Sequence, residues 1–505
     1  VTSQPLLPVE TWSVPVDGFD PLAAYVELSK LLGSAQGAVS LLESLSGPQR
    51  DSRFSILPLA PALTISVFPG RVELAGSEAL VAALRGHLAH AGFVVRSQTG
   101  VVELPSQAQL WTLLRTIRDA FAVRSGTRSN AFRFGFFGYF GYDTAWSIEE
   151  LPRKIDRSDS VPDVVLTIPT AHASLDMATG ISELVLHRCE GIFEPPDEDD
   201  VATALARSGE TQAVAQVPDV QRPVSVMSTM SRDSYLESGK TCLEHIAAGD
   251  IYQVQLGHEV RIESAVEPLD VYKRLRVRNP SPYMFLTTLG SISIVGASPE
   301  MCLRIDEDKV AVRPIAGTTK RGRDEQEDNE LIAAMLRNEK ELSEHIMLVD
   351  LGRNDVSRVC KTRTLDVDEL MVIEKYSHVS HIVSNVVGNL KDDVDAFDAL
   401  AAAFPAGTMT GAPKIRAMEI IESLETTARG VYAGAIGLVD FDDYTITALG
   451  IRSTIYDGKT YRLRASAGFV ADSDPESEWQ ESINKMAAPY WAVTGEEIAD
   501  ARIGD

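Results

Sequence analysis

Strand-like runs at about 283–287, 292–297 and 301–305 follow one another with no helical segment between them. A parallel pair needs a crossover of a dozen or more residues, so this spacing selects antiparallel neighbours. Helical patterns sit between other runs without a strand–helix–strand rhythm. A Ser231 cap opens an amphipathic helix that stops at Gly249-Asp250 and leads into a strand. A long helix is expected over about 325–351, another from near Pro413, and a last one over 477–488. Strands are expected around 432–439 and 445–456. The fold class is therefore α+β, and no internal repeat is visible.

Residues 193–223 are acidic and polar and read as a linker with a short helix at 200–207. The chain divides into an N-terminal region, 1–192, that linker, and a catalytic region, 224–495. In the first region 53–76 reads as strands with turns, and FGFFGYFGYD, from Phe134, places glycines where backbones approach closely.

A net charge of −25 argues against nucleic acid and against an anionic membrane surface, because both need clustered Lys and Arg. An acidic protein acting on an anion must build a local positive site from a metal or a few basic side chains. Four dispersed cysteines read as reduced thiols of a cytoplasmic protein, and the proline-broken N-terminus is unlike a signal peptide.

Two Glu-x-x-Glu pairs, Glu341/Glu344 and Glu478/Glu481, each place two carboxylates on one helix face. Four such acids suit Mg²⁺, which takes oxygen ligands and keeps waters, although two solvated acidic faces would read the same. SHVSHIV offers His378 and His381 as bases. Gly407, Thr408, Gly411 and Pro413 precede a helix and suggest an anion cradle. Arg452 sits on an otherwise apolar strand and needs a carboxylate partner. ASAGFVADS allows backbone N–H groups near Gly468 to approach an anion. Residue chemistry alone reaches a metal-assisted enzyme acting on a small anion.

These segments, with GDIYQV, RNPSPYMF, VGASPE, RPIAGT and ELSEHIMLVDLGRND, resemble the chorismate-utilising enzymes. The resemblance implies two packed antiparallel sheets flanked by helices, with the active site between them. It implies chorismate as substrate and Mg²⁺ on Glu344 and Glu481 with Glu478 in support. Glu341 would be the general acid and His381 the base. Thr408, Tyr432, Arg452 and Gly468 would grip carboxylates, with Lys485 near the metal helix. Gln253 stands where water-using members carry a lysine base, which points to ammonia. Ala316 stands where aminodeoxychorismate synthases carry a nucleophilic lysine, which points to amination at ring carbon 2.

LLES at 41–44 followed by Ser55 matches tryptophan-inhibited members, so Leu42, Glu43, Ser44, Pro282 and Met284 are expected to border a tryptophan pocket. The expected activity is that of anthranilate synthase component I, with ammonia from a separate glutamine amidotransferase subunit. The alternatives are 2-amino-2-deoxyisochorismate synthesis, which stops before pyruvate leaves, and aminodeoxychorismate synthesis. A non-catalytic binder is disfavoured by retention of the acid and base. Two departures stand out. Gly257, His258 and Glu259 replace the usual Ser and basic residues, and Ser466 replaces a glycine of the usual AGAG. Both put the elimination step in question.

Overall fold

Tyr283–Leu289 and Ile292–Ser298 form the expected antiparallel hairpin, but the next strand, Met301–Asp306, leaves it for a second sheet and pairs with Thr445–Leu449. The computed structural model describes residues 6–503 apart from 34–36, 48–52, 97–99, 125–130, 211–216, 377–378, 443 and 501–502. His378 lies outside the described residues.

One sheet runs from Ser225–Ser228 through Gln253–Glu263, Thr460–Phe469, Ser453–Tyr456, Ile292–Ser298 and Tyr283–Leu289 to Leu41–Glu43. The other runs from Gly135–Phe140 through Ala435–Asp440, Thr445–Leu449, Met301–Asp306 and Lys309–Val312 to Val379–Asn389. The last strand also pairs with Ile315–Lys320 and Asp366–Lys375. Phe54–Phe68 and Val164–Asp176 join the two sheets, so strands of the N-terminal region are built into both. All of these pairings are antiparallel. A parallel pairing joins Leu7–Pro15 to Phe121–Arg124 at the edge. Gly138 shows why that segment is glycine-rich: a Cβ there would lie 2.0 Å from Val165 O.

Several sequence expectations shift in detail. The helix expected over 325–351 is two, Glu325–Met335 and Glu339–Val359, because Asn338 leaves helical geometry and accepts from Lys340 N at 3.0 Å. The strand expected over 445–456 is broken between Leu449 and Ser453, where Arg452 takes φ +50°. The strand expected from 432 begins later, as Ala435–Asp440. The acidic segment contains a longer helix than expected, Glu198–Glu210, with Val201 and Leu205 buried.

Two helices position the site. In Glu339–Val359, buried His345 meets Ser384 Oγ through Nε2 at 2.6 Å and fixes the helix on Val379–Asn389. Glu341, one turn before it, therefore points between the sheets. Pro475–Thr494 starts at Pro475 with an Asp474 cap and packs Trp479, Ile483 and Met486 against the first sheet. Burying such side chains contributes about 1.5–3 kcal/mol each. No helix among the described residues is long and apolar enough to cross a membrane, and all four cysteines are buried thiols.

His172 and His187 stack at 5.7 Å in the N-terminal core. Burial, helped by Arg133, pushes His172 from 6.5 down to about 3. The unfolded chain takes that proton near pH 6.5 and the folded protein refuses it, so this residue costs stability as pH falls through the window between. A His172→Phe variant should gain on the wild type by about 1.4 kcal/mol per pH unit below 6.5. Denaturant melts at pH 7, 6 and 5 check this, and a constant gap would contradict it.

Candidate active site

A cavity of about 460 Å³ opens between the sheets, and Glu341, Glu344, Glu478 and Glu481 all line it. The two pairs, far apart in sequence, are brought to one wall by the helices Glu339–Val359 and Pro475–Thr494. His381, Thr408, Tyr432, Arg452, Gly468 and Lys485 line the same cavity. Gln253 does not. It sits behind the wall, fully buried, and its Nε2 donates to Glu344 Oε1 at 2.6 Å. Its geometry is that of a brace for Glu344 rather than of a group facing substrate.

The carboxylates differ in their surroundings. Burial raises Glu341 above the ordinary carboxylate range, with Glu481 adding to the effect against Lys340. Glu344 is raised by burial and by Glu341. Glu478 is raised by burial, while Ser473 Oγ donates to it at 2.7 Å. Glu481 pairs with Lys485 Nζ at 2.7 Å. Among the described residues, no three of His, Cys, Asp and Glu stand close enough together to hold a metal by themselves. The donor set is still that of a hard cation: oxygen ligands, mutually repelling and partly desolvated. Such a wall suits Mg²⁺ bound through one or two carboxylates with waters and substrate oxygens completing the shell.

His381 lies on Val379–Asn389 opposite Thr318, whose Oγ1 contacts His381 Nδ1 at 2.9 Å. Burial, with Arg452 nearby, lowers it to about 4, so the imidazole is neutral and in its basic form at ordinary pH. Arg452 reaches the cavity because the strand breaks at its position. Its Nη1 donates to Lys485 O at 3.0 Å. Among the described residues its side chain bonds this backbone carbonyl rather than the carboxylate partner expected for it, and it lines the cavity.

The segment 407–413 brings Thr408 to the cavity. Thr408 Oγ1 donates to Glu300 Oε1 at 2.8 Å, and Gly411 lets the backbone approach Gln253, where a Cβ would lie 2.1 Å from Gln253 O. At Gly468 a Cβ would sit 2.8 Å from Gln255 Nε2 and 3.0 Å from Gln253 Nε2, so the ends of both side chains would have to shift to admit one. Glu300 and Thr318 were not singled out from sequence. Burial pushes Glu300 up to about 8, which leaves a largely protonated carboxyl on the cavity wall at neutral pH. VGASPE held the signal, but its meaning depends on burial that one sequence does not reveal.

A second, small cavity of about 70 Å³ gathers Leu42, Glu43, Ser44, Pro282 and Met284, together with Arg53, Arg304 and Tyr444. Glu43 is committed elsewhere, to Arg276 at 2.7 and 2.9 Å and to Tyr272 Oη at 2.7 Å. Ser44 Oγ donates to Pro282 O at 2.8 Å. The five expected residues share a pocket, with Glu43 as its anchor.

The family model of chorismate binding enzymes matches residues 86–490. A 2-amino-4-deoxychorismate synthase of Streptomyces globisporus is 45% identical over 493 residues, covering 97% of each chain. Anthranilate synthase component 1 of Pseudomonas putida is 35% identical, over 95% of this chain and 94% of the relative. The crystal structure of anthranilate synthase component I from Streptococcus pneumoniae superposes with a TM-score of 0.70 at 30% identity, covering 87% of this chain and 92% of the other.

Proposed function

The chain belongs to the chorismate binding enzymes, and from that membership we propose that it aminates chorismate at ring carbon 2 and keeps the enolpyruvyl ether. The product would be 2-amino-4-deoxychorismate. The observation that carries this reading is the 45% identity, end to end, with a relative whose product name specifies that chemistry. The P. putida anthranilate synthase, aligned over a similar length, stands at 35%. Ser466 in the cavity wall supports the same reading.

In this reading ammonia attacks carbon 2, the ring double bonds shift, and the hydroxyl at carbon 4 leaves as water with a proton from Glu341. Glu344, Glu478 and Glu481 would hold Mg²⁺, which supplies charge to fix a substrate carboxylate when bound. Gln253 keeps Glu344 in place, and Arg452 faces the substrate's second carboxylate. We assign the ammonia to a separate glutamine amidotransferase, and the pocket beside Ser44 to tryptophan as an inhibitor.

Anthranilate formation is the second reading, favoured by a neutral His381 on the cavity wall that could take the proton at carbon 2. Chorismate, Mg²⁺ and ammonium at alkaline pH separate the two. A non-fluorescent aminated ring without pyruvate is the expected result. Blue-fluorescent anthranilate with one pyruvate per chorismate would replace it.

A further inference from the structure

We propose that Ser466 is a positioning residue that withholds Tyr432 from the departing enolpyruvyl group, and so determines whether pyruvate is released. The proposal deepens the product reading above and rests on it. Ser466 is 2% exposed and lines the cavity beside Tyr432. Its Oγ donates to Gln255 Oε1 at 2.9 Å, and it lies 2.8 Å from Tyr432 Oη. A serine hydroxyl carries one proton, and an amide oxygen can only accept. With that proton given to Gln255, the contact with Tyr432 must run the other way: the phenol donates to Ser466. Tyr432 also has one proton, which is thereby directed into the protein wall.

The placement of this hydroxyl follows from the sheet. Ser466 is the direct cross-strand partner of Gly257. A Cβ at 257 would lie 3.1 Å from Ser466 Cβ, 2.7 Å from Ala465 O and 3.2 Å from Glu425 Oε1. The pair has room for one side chain beyond Cα. This chain puts it on the strand whose side chain reaches the cavity, whereas the strands it resembles carry Ser at the first position and Gly at the second.

Pyruvate release requires a base to take the proton at carbon 2. That electron pair forms the ring double bond to carbon 3, and the ether bond breaks with its electrons on the departing enolpyruvate oxygen. Hydrogen-bond donors aimed at a departing oxyanion are worth about 10²–10³ in rate each. A phenol proton already given to Ser466 is not available for that charge.

The test is the ratio of pyruvate to total aminated ring, with chorismate and ammonium as substrates. It is repeated with 2-amino-4-deoxychorismate supplied directly, so that a variant impaired in amination still reports. Ser466→Ala should raise the ratio at least about tenfold, as should the exchange Gly257→Ser/Ser466→Gly, which keeps one side chain at the pair. Adding Tyr432→Phe to Ser466→Ala should return the ratio to the wild-type value, a response that a merely structural role would not give. An unchanged ratio in both Ser466 variants overturns the proposal while leaving the product reading intact. So does a gain that survives Tyr432→Phe. Wild-type release of one pyruvate per chorismate overturns both, since a committed Tyr432 would then be no obstacle.

Discussion

Replacing Glu341 by Gln should lower chorismate consumption about 10²–10⁴-fold, the range for loss of a positioned general acid. The carboxyl is held near the start of its helix, inside the cavity, with Gly317 directly beside it: a Cβ there would lie 3.5 Å from Glu341 Oε2. Gln preserves shape and hydrogen bonding but cannot release a proton to the leaving hydroxyl. The variant should therefore lose kcat with little change in KM, and it should keep its thermal midpoint because the side chain is not a core group. Glu344→Gln should behave differently, since Glu344 is assigned to the cation: more Mg²⁺ would be needed for half-maximal rate. If Glu341→Gln kept most of the turnover, the acid would have to be sought elsewhere on the wall. Glu300 is the first candidate, because burial keeps its carboxyl protonated up to about pH 8.

The contrast between these two glutamates shows which parts of the site could be seen in advance. Glu341, Glu344, Glu478 and Glu481 were legible because a three-residue spacing on a helix fixes a shared face without further information. The hairpin at 283–298 was legible for a similar reason, since short spacing settles antiparallel pairing locally. Arg452 was placed on the right segment but in the wrong geometry. It leaves the strand at φ +50°, just after Gly450, whose N–H donates to Gly434 O at 2.8 Å, a pairing that local sequence does not reveal. Asn338 was overlooked as a cap because the Arg, Glu and Lys around it are good helix formers and no Pro or Gly interrupts them, so two helices read as one. Gln253 was legible as a position but not as a contact: its amide turns toward Glu344, 91 residues on. Burial and cross-chain pairing decide each of these, and neither is a local property.

A cluster of that kind carries the other large expectation. Glu425→Gln should cost about 3–5 kcal/mol of stability, the range for removing one partner of a buried ionic set. Glu425 is inaccessible to solvent and accepts from Arg429 at 2.7 and 3.1 Å, from Arg464 at 2.5 Å and from Gly257 N at 2.8 Å. Burial alone would push its carboxyl up, but the two guanidiniums and the Gly257 N–H outweigh that and hold it below the ordinary range. The neutral amide would leave two arginines sharing a desolvated space with one countercharge fewer. With an unfolding entropy of roughly 2 cal/mol/K per residue, that loss corresponds to a fall of roughly 3–5 °C in thermal midpoint. Activity should fall as well, because Arg429 also donates to Gln255 O at 2.9 Å and to Met409 O at 2.7 Å, and both residues line the cavity. The informative control removes the whole set: Glu425→Leu with Arg429→Met and Arg464→Met should recover most of the lost stability, since no charge is then buried without its partner. If the triple variant is no more stable than Glu425→Gln, the loss comes from packing rather than from stranded charge, and the ionic account of this wall fails.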